Sequence, residues 1–294
     1  MDGGKFFGAF RACCGITDAV VLNHAPIGCN WGAGMFKTTS DQLDLRHACT
    51  VMHEREIVFG GETSLREALK RADDLYHSPL IIIAVGDVPT IIGDDIESIT
   101  SSAGLSKPVV WVDAAGFKGS MQKGYEEALI RLAPLMKEGP TVERSVNIIG
   151  FYPDDFKVDS DIKEIKRMLT GEGIRINSII SNCTFDQFIK APRAELNVVL
   201  GQGIELSKWM QKSFGLPYVV CNYPYGLESS RKLISTVCDH LGLGYDKEMD
   251  LSPFKKVFLW LNELVGTPVS IIGNSRAIPM ADFLHHELGL EIEA

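Results

Sequence analysis

The chain has 294 residues, 45% hydrophobic and 23% charged, an ordinary globular balance with length for two or three domains. Its net charge of −9 argues against gripping a nucleic-acid backbone, which takes a basic face. No run approaches the roughly 20 apolar residues of a membrane span, and the opening MDGGKFFGAF lacks the basic-then-apolar pattern of a secretory signal, so a cytoplasmic location away from membranes is expected.

Strand-like and helical patterns alternate along the chain. Strands are predicted at 19–23, 80–85, 109–112, 145–149, 174–180, 196–200, 218–221 and 269–272, short β-branched runs apolar on both faces. Helices are predicted at 63–76, 118–136, 160–169, 204–214 and 228–241. The alternation reads as α/β, with doubly wound parallel sheets. Polar, Pro- and Gly-bearing stretches at 137–145 and 244–253 divide the chain into an N-terminal α/β domain (1–140), a second α/β domain (141–245) and a partial third (246–294). The third has a helix at 254–265, a strand ending on Gly273, a helix at 275–288 and the start of another strand at Glu291-Ile292-Glu293. That is too little for a full sheet, so either this tail completes another sheet or the chain is a shortened version of something longer.

The seven cysteines, Cys13, Cys14, Cys29, Cys49, Cys183, Cys221 and Cys238, are odd in number and contain no Cys-x-x-Cys pair, which disfavours a disulfide framework. Crowding of four of them into the first 50 residues suggests a metal or redox site, with buried structural thiols as the alternative.

In open parallel sheets, ligands sit beyond the carboxyl ends of strands. Three entries of that kind occur in the first domain. HAPIGCNWGAG (24–34) forces a tight turn at Pro26 and Gly28 and brings Cys29 off its crest, with Gly32 and Gly34 leaving the backbone bare. Such a loop suits a thiolate stabilised by backbone N–H groups. IVFGGE (57–62) reads as a strand-turn-helix entry with Phe59 at its tip, Gly60-Gly61 free to take positive φ, and Glu62-Thr63 capping the next helix. GDVPTIIGDDI (86–96) gathers Asp87, Asp94 and Asp95, the last two explained as acids favouring a helix N-terminus. In the second domain, VLGQG (199–203) and NYPYGLESSRKL (222–233) place Gly201, Gln202, Tyr223, Tyr225 and Gly226 to line an interdomain ligand cleft, against plain turn chemistry. GNSRAI (273–278) is an incomplete dinucleotide fingerprint. The chain has no Walker A sequence, no His-Glu-x-x-His and no Gly-x-Ser-x-Gly.

HAPIGC, EREIVFGGETSL and IIGDDI, in this order and spacing, resemble the catalytic-component family of nitrogenase and its relatives. VNIIGFY, AELNVVL, FGLPYVVCNYPYGLESS and GTPVSIIGN extend the resemblance over nearly the whole chain. Those relatives include the cofactor-assembly scaffold, the dark-operative protochlorophyllide reductase and the nickel-tetrapyrrole reductive cyclase. The resemblance implies Rossmann-like domains, a paired subunit, an iron–sulfur cluster at the subunit interface, and a docking ATP-dependent iron–sulfur reductase that delivers single electrons. It places one cluster cysteine on Cys29, while Gly4 and Asp87 stand where two others are expected. Phe59, with Gly60 beside it, matches the aromatic near the reductase-docking surface. The metal-anchoring cysteine of the second domain falls at Leu200–Gly201 and is absent.

Cys49 or Cys14 is the candidate second thiolate. Two per chain complete a [4Fe–4S] cluster across a homodimer, with Asp87 as an oxygen ligand. The implied function is a nitrogenase-like redox component acting on a bulky substrate such as a tetrapyrrole or metallocofactor precursor, paired with itself or a related subunit. The rival is a non-catalytic scaffold or binding module for a metallocofactor precursor or partner subunit.

Overall fold

The computed structural model describes residues 4–30, 46–246, 261–273 and 276–293. Gly32 and Gly34 of the cysteine loop, most of the helix expected at 254–265, and Asn274-Ser275 of the last Gly-rich turn lie outside the described residues.

The first part runs α1 (Gly4–Cys14), β1 (Val20–His24), β2 (His47–Cys49), α2 (Glu54–Phe59), α3 (Glu62–Tyr76), β3 (Ile81–Val85), α4 (Asp87–Ile92), α5 (Ile96–Ser102), β4 (Val109–Asp113) and α6 (Met121–Leu132). Its strands form a parallel sheet of order β2-β1-β3-β4. The second part runs β5 (Ser145–Ile149), α7 (Val158–Gly171), β6 (Arg175–Ile180), α8 (Phe185–Ile189), β7 (Leu196–Leu200), α9 (Ile204–Phe214), β8 (Tyr218–Cys221) and α10 (Gly226–His240). It makes a parallel sheet of order β6-β5-β7-β8. The last part holds β9 (Pro268–Val269), α11 (Ala277–Asp282), a π-helical turn (Phe283–Glu287) and β10 (Glu291–Ile292), with β9 and β10 paired in parallel.

The central strands follow from their composition. Val20, Val21 and Leu22 of β1 and Ile81, Ile82 and Ile83 of β3 are fully buried, because helices cover both faces. Each sheet reverses direction once, between β1 and β3 in the first and between β5 and β7 in the second. At such a switch point the two following loops diverge and leave a crevice. The loop carrying Cys29 and the turn carrying Asp87 both leave the first switch point, and the 150–157 loop and Gly201-Gln202 leave the second.

The largest apolar cluster runs between the sheets, from Val21 and Ile82 through Phe10, Tyr125 and Leu129 to Ile180 and Met210. Helices α1 and α6 form its middle and approach very closely. A Cβ at Gly8 would lie 1.8 Å from the Met121 carbonyl oxygen, and one at Gly124 would lie 2.0 Å from that of Lys5. The reciprocal glycines let the backbones touch. Lys5, 2% exposed, then reaches Glu127 at 2.6 Å.

Two expected elements differ. Ile57-Val58-Phe59 ends the helix α2 rather than forming a strand, and the sheet position falls earlier, to His47–Cys49. The helix expected at 118–136 is broken, because Ser120 caps α6 by accepting from the Lys123 N–H at 3.3 Å and Pro134 closes it into a 3₁₀ turn.

Replacing Gly124 with alanine is expected to cost about 1–3 kcal/mol or more, through forced separation of α1 and α6. Gly171→Ala at the open end of α7, where a Cβ meets nothing within 4 Å, should be neutral or stabilising. Urea unfolding of the two variants checks the contrast.

Candidate functional site

Strand register brings the first site together. Asn23 of β1 lies opposite Cys49 of β2, and His24 opposite Val85 of β3. Beyond them Ala25 is held from both sides. Its N–H donates to the Thr50 hydroxyl at 3.3 Å, and its carbonyl accepts from the Met52 N–H at 3.1 Å and the Cys49 thiol at 3.4 Å. The chain then becomes helical at 27–30, in place of the expected tight turn, with the Cys29 N–H bonding the Pro26 carbonyl at 3.1 Å.

Cys29 and Cys49 are both half-buried. Burial pushes the Cys29 thiol up, and the Asp87 carboxylate beside it adds to that rise. Burial likewise raises Cys49, the Val51 N–H opposes it, and the neighbouring Cys29 raises it further. Cys29, Cys49 and Asp87 thus share one electrostatic neighbourhood. Cys49 also receives a backbone donor, the Val51 N–H reaching its sulfur at 3.3 Å. Val51 does so from φ 54, a costly conformation for a β-branched residue, of the kind that gathers at functional sites.

The other expected ligand positions sit differently. Cys14 is 5% exposed in the inter-sheet core, and Cys13 beside it is pushed up to about 12 by burial. Gly4 opens α1 at φ 69, and a Cβ there would lie 3.3 Å from the Gly116 carbonyl oxygen. Asp87 reaches that same turn by accepting from the Phe117 N–H at 3.3 Å. Among the described residues, no group of three or more His, Cys, Asp or Glu side chains is placed to hold a metal ion within one chain.

The two acids of the Gly-Asp-Asp run do different jobs, which corrects the capping explanation for Asp94. Asp95 caps α5, accepting from the Ser98 N–H at 3.0 Å. Asp94 turns inward to 3% side-chain exposure, accepting from the Gly61 N–H at 3.0 and 3.1 Å and pairing with His24 Nε2 at 3.0 Å. The far nitrogen of His24 meets the Thr50 hydroxyl at 3.0 Å. A carboxylate can only accept, so the proton of a neutral His24 sits on Nε2, facing Asp94, and the Thr50 hydroxyl donates to Nδ1.

Just before Gly61, the end of α2 projects outward. Phe59 is 84% exposed and Val58 71%, with Gly60 at φ 95 behind them. Ile91 of α4, which packs against α2, is exposed as well. Val58 and Phe59 thus leave two adjacent large apolar side chains uncovered at the end of α2.

At the second switch point, Gln202 is turned inward. It donates to the Gly150 carbonyl at 3.1 Å, and the Tyr223 hydroxyl donates to the same oxygen. Gly201 takes φ 76. Tyr225 stacks beside Tyr223 at 6.1 Å and lines a cavity of about 80 Å³ with Phe151, Asp161 and Met168. Charged residues that sequence reasoning missed surround them. Arg11 reaches Asp154 at 2.7 Å and Asp155 at 3.2 Å, while Arg276 bonds Asp155 and donates to the Tyr223 hydroxyl at 3.0 Å. Burial raises Asp154, against the lowering effect of Arg11. Two helix N-termini here are closed by carboxylates from elsewhere in the chain. Glu126 accepts from Gly203, Ile204 and Glu205 N–H at 2.7, 3.2 and 3.2 Å, and Glu287 from Leu227 and Glu228 N–H at 2.8 and 2.9 Å. Their partners lie 59 or more positions away, so no local pattern signals them.

Comparison with known proteins gives a consistent picture. A family model described as nitrogenase component 1 type oxidoreductase matches residues 5–294. The nitrogenase iron-molybdenum cofactor biosynthesis protein NifE of Methanosarcina barkeri is 31% identical over 248 residues, 77% of this chain and 52% of that protein. NifE of Clostridium pasteurianum is 30% identical over 253 residues, 79% of this chain and 54% of that one. The nitrogenase molybdenum-iron protein alpha chain of Clostridium pasteurianum is 28% identical over 73% of this chain and 44% of its own length. The solved structure of nitrogenase Cp1 at pH 5 superposes with a TM-score of 0.83 at 20% identity, covering 99% of this chain and 63% of that one, a likeness of fold. The chain spans about half the length of the curated relatives it matches. Among the described residues no helix is long and apolar enough to cross a membrane.

Burial lowers the His24 pKa from its ordinary 6.5, outweighing the raising influence of Asp94. Below that value the unfolded histidine takes a proton that the folded one refuses. Stability from this site is therefore complete above about pH 6.5 and is lost as pH falls through the folded pKa. Urea unfolding between about pH 7.5 and 5.5 should show the decline, and His24→Asn should lower stability at the upper end while flattening the slope.

Proposed function

The chain belongs to the nitrogenase component 1 type oxidoreductases, and from that membership we propose that it is a redox component sharing an iron–sulfur cluster with a paired subunit through Cys29 and Cys49. The observation that carries the reading is the meeting of these two half-buried thiols and Asp87 at the first switch point. The donor set fits half of a shared [4Fe–4S] site. Two thiols per chain become four across a symmetric pair, and no third ligand closes a site within one chain among the described residues. Asp87 stands ready as an oxygen ligand.

The chain's own groups have defined tasks in this reading. Cys29 and Cys49 release their protons on loading, since a coordinating thiol is deprotonated. The Val51 N–H steadies the charge left on Cys49. The tip at Phe59 and Gly60 receives an ATP-dependent iron–sulfur reductase. The cluster, when bound, supplies a one-electron store. Gly201, Gln202 and Tyr225 border the substrate region, and no cysteine at 200 or 201 anchors a metal there. A bulky tetrapyrrole or metallocofactor precursor, held by shape and aromatic contact, is the substrate class that suits this edge. The partner subunit is a second copy or a related chain.

A second reading, a scaffold for a metallocofactor precursor, is favoured by the cofactor-biosynthesis names of the NifE relatives.

Anaerobic reconstitution should give about four irons per two chains, and Cys29→Ala should abolish binding. A colourless protein without iron overturns the redox role, and unchanged precursor binding by Cys29→Ala favours the scaffold. Phe59→Ala should keep its iron yet slow reduction by the reductase about tenfold or more, as loss of an exposed aromatic anchor does, measured by stopped-flow absorbance.

A further inference from the structure

We infer that Asp94 is a positioning residue that couples the apolar tip at Phe59 to the loop bearing Cys29. The inference rests on the reading of that tip as a docking surface and of Cys29 as a ligand, though the coupling itself is measurable without either partner or metal.

Four hydrogen bonds run in series from one loop to the other. The Gly61 N–H, two positions after Phe59, donates to Asp94 at 3.0 Å. His24 Nε2 donates to the same carboxylate at 3.0 Å. The Thr50 hydroxyl donates to His24 Nδ1 at 3.0 Å and accepts from the Ala25 N–H at 3.3 Å. Ala25 begins the Pro-Ile-Gly-Cys turn. The two ends are backbone donors and the carboxylate can only accept, so the direction of every bond between them is set.

Packing follows the same path. A Cβ on Gly61 would lie 2.7 Å from Asp94 Oδ2, 2.8 Å from His24 Cε1 and 2.8 Å from Met52 Cε. Met52 in turn donates its N–H to the Ala25 carbonyl at 3.1 Å. His24 is fully buried, with no slack to absorb a shift. A partner pressing on the tip therefore moves Gly61 against the groups that hold the start of the cysteine turn. Capping of α5 does not account for Asp94, because Asp95 already fills that role; Asp94 instead meets the N–H of Gly61, the N-cap residue of α3, and His24 together.

Iodoacetamide alkylation of the full chain, mapped by mass spectrometry, tests the coupling. Gly61→Ala perturbs it from the tip and Asp94→Ala from the middle. Both should raise Cys29 alkylation by about tenfold or more, as expected when a buried charge-assisted bond opens, while Cys13 and Cys183 stay protected. Asp94→Asn should keep the wild-type rate, because its amide oxygen can accept from both the Gly61 N–H and His24 Nε2, as Asp94 Oδ2 does. Imidazole ¹⁵N shifts should show the His24 proton kept on Nε2 in Asp94→Asn and this pairing lost in Asp94→Ala, a readout that a generic loss of stability would not produce. Exposure of the Gly61 amide to exchange with no change at Cys29 overturns the inference. Should the alanine variants unfold, so that Cys13 and Cys183 also react, Asp94→Asn decides alone: with the His24 proton kept on Nε2, wild-type Cys29 reactivity supports the coupling, and raised Cys29 reactivity with Cys13 and Cys183 still protected sinks it. Iron content and reductase kinetics are not read, so failure here leaves the cluster proposal standing, and a protein without iron leaves the coupling standing.

Discussion

Parallel strands buried on both faces have no side chains to spare for chemistry. Every residue of β1, β3, β5 and β7 is spent on packing or on interior polar contacts. Reactive groups must then stand on the loops beyond the carboxyl ends, and the strand order decides which loops meet. Because the first sheet reverses between β1 and β3, the turn with Cys29 and the turn with Asp87 emerge side by side. The second sheet repeats the arrangement, and Gly150 and Gln202 meet across its crevice.

A crowded edge of this kind collects backbone N–H groups that need acceptors, and the protein supplies carboxylates from distant segments. Asp94 binds two loops, Glu126 ties α6 to the start of α9, and Glu287 ties the last helical turn to the start of α10. Asp155 sits between Arg11 and Arg276, joining three parts of the chain. Such contacts contribute modest net stability, since each buried charge carries a desolvation cost. Their value lies in geometry: a carboxylate that has gathered several donors cannot move without leaving them unpaired.

The strands of the two sheets were legible because β-branched apolar runs of five or six residues have few other homes. The short edge strand β2 was not, since His47-Ala48-Cys49 carries no apolar alternation and is defined by its neighbour β1. Ile57-Val58-Phe59 misleads for the opposite reason. An apolar tripeptide reads as buried strand, whereas here it ends a helix and faces outward. Cys29 and Asp87 were visible through motif spacing, and the proximity of Cys49 to Cys29 only as one of two options. Val51 gave no signal, because left-handed backbone at a valine is imposed by its surroundings. Asp94 looked like its neighbour Asp95, and only burial separates a cap from a tie between loops.

Gly4 carries a consequence for which residues the head of α1 can accept. With φ at 69 and the Gly116 carbonyl 3.3 Å from where a Cβ would stand, a single codon change to cysteine puts a side chain into unfavourable backbone and against a neighbouring turn. A side chain there would call for adjustment both at the head of α1 and in the Gly116 turn. The main chain itself thus reserves this position for glycine.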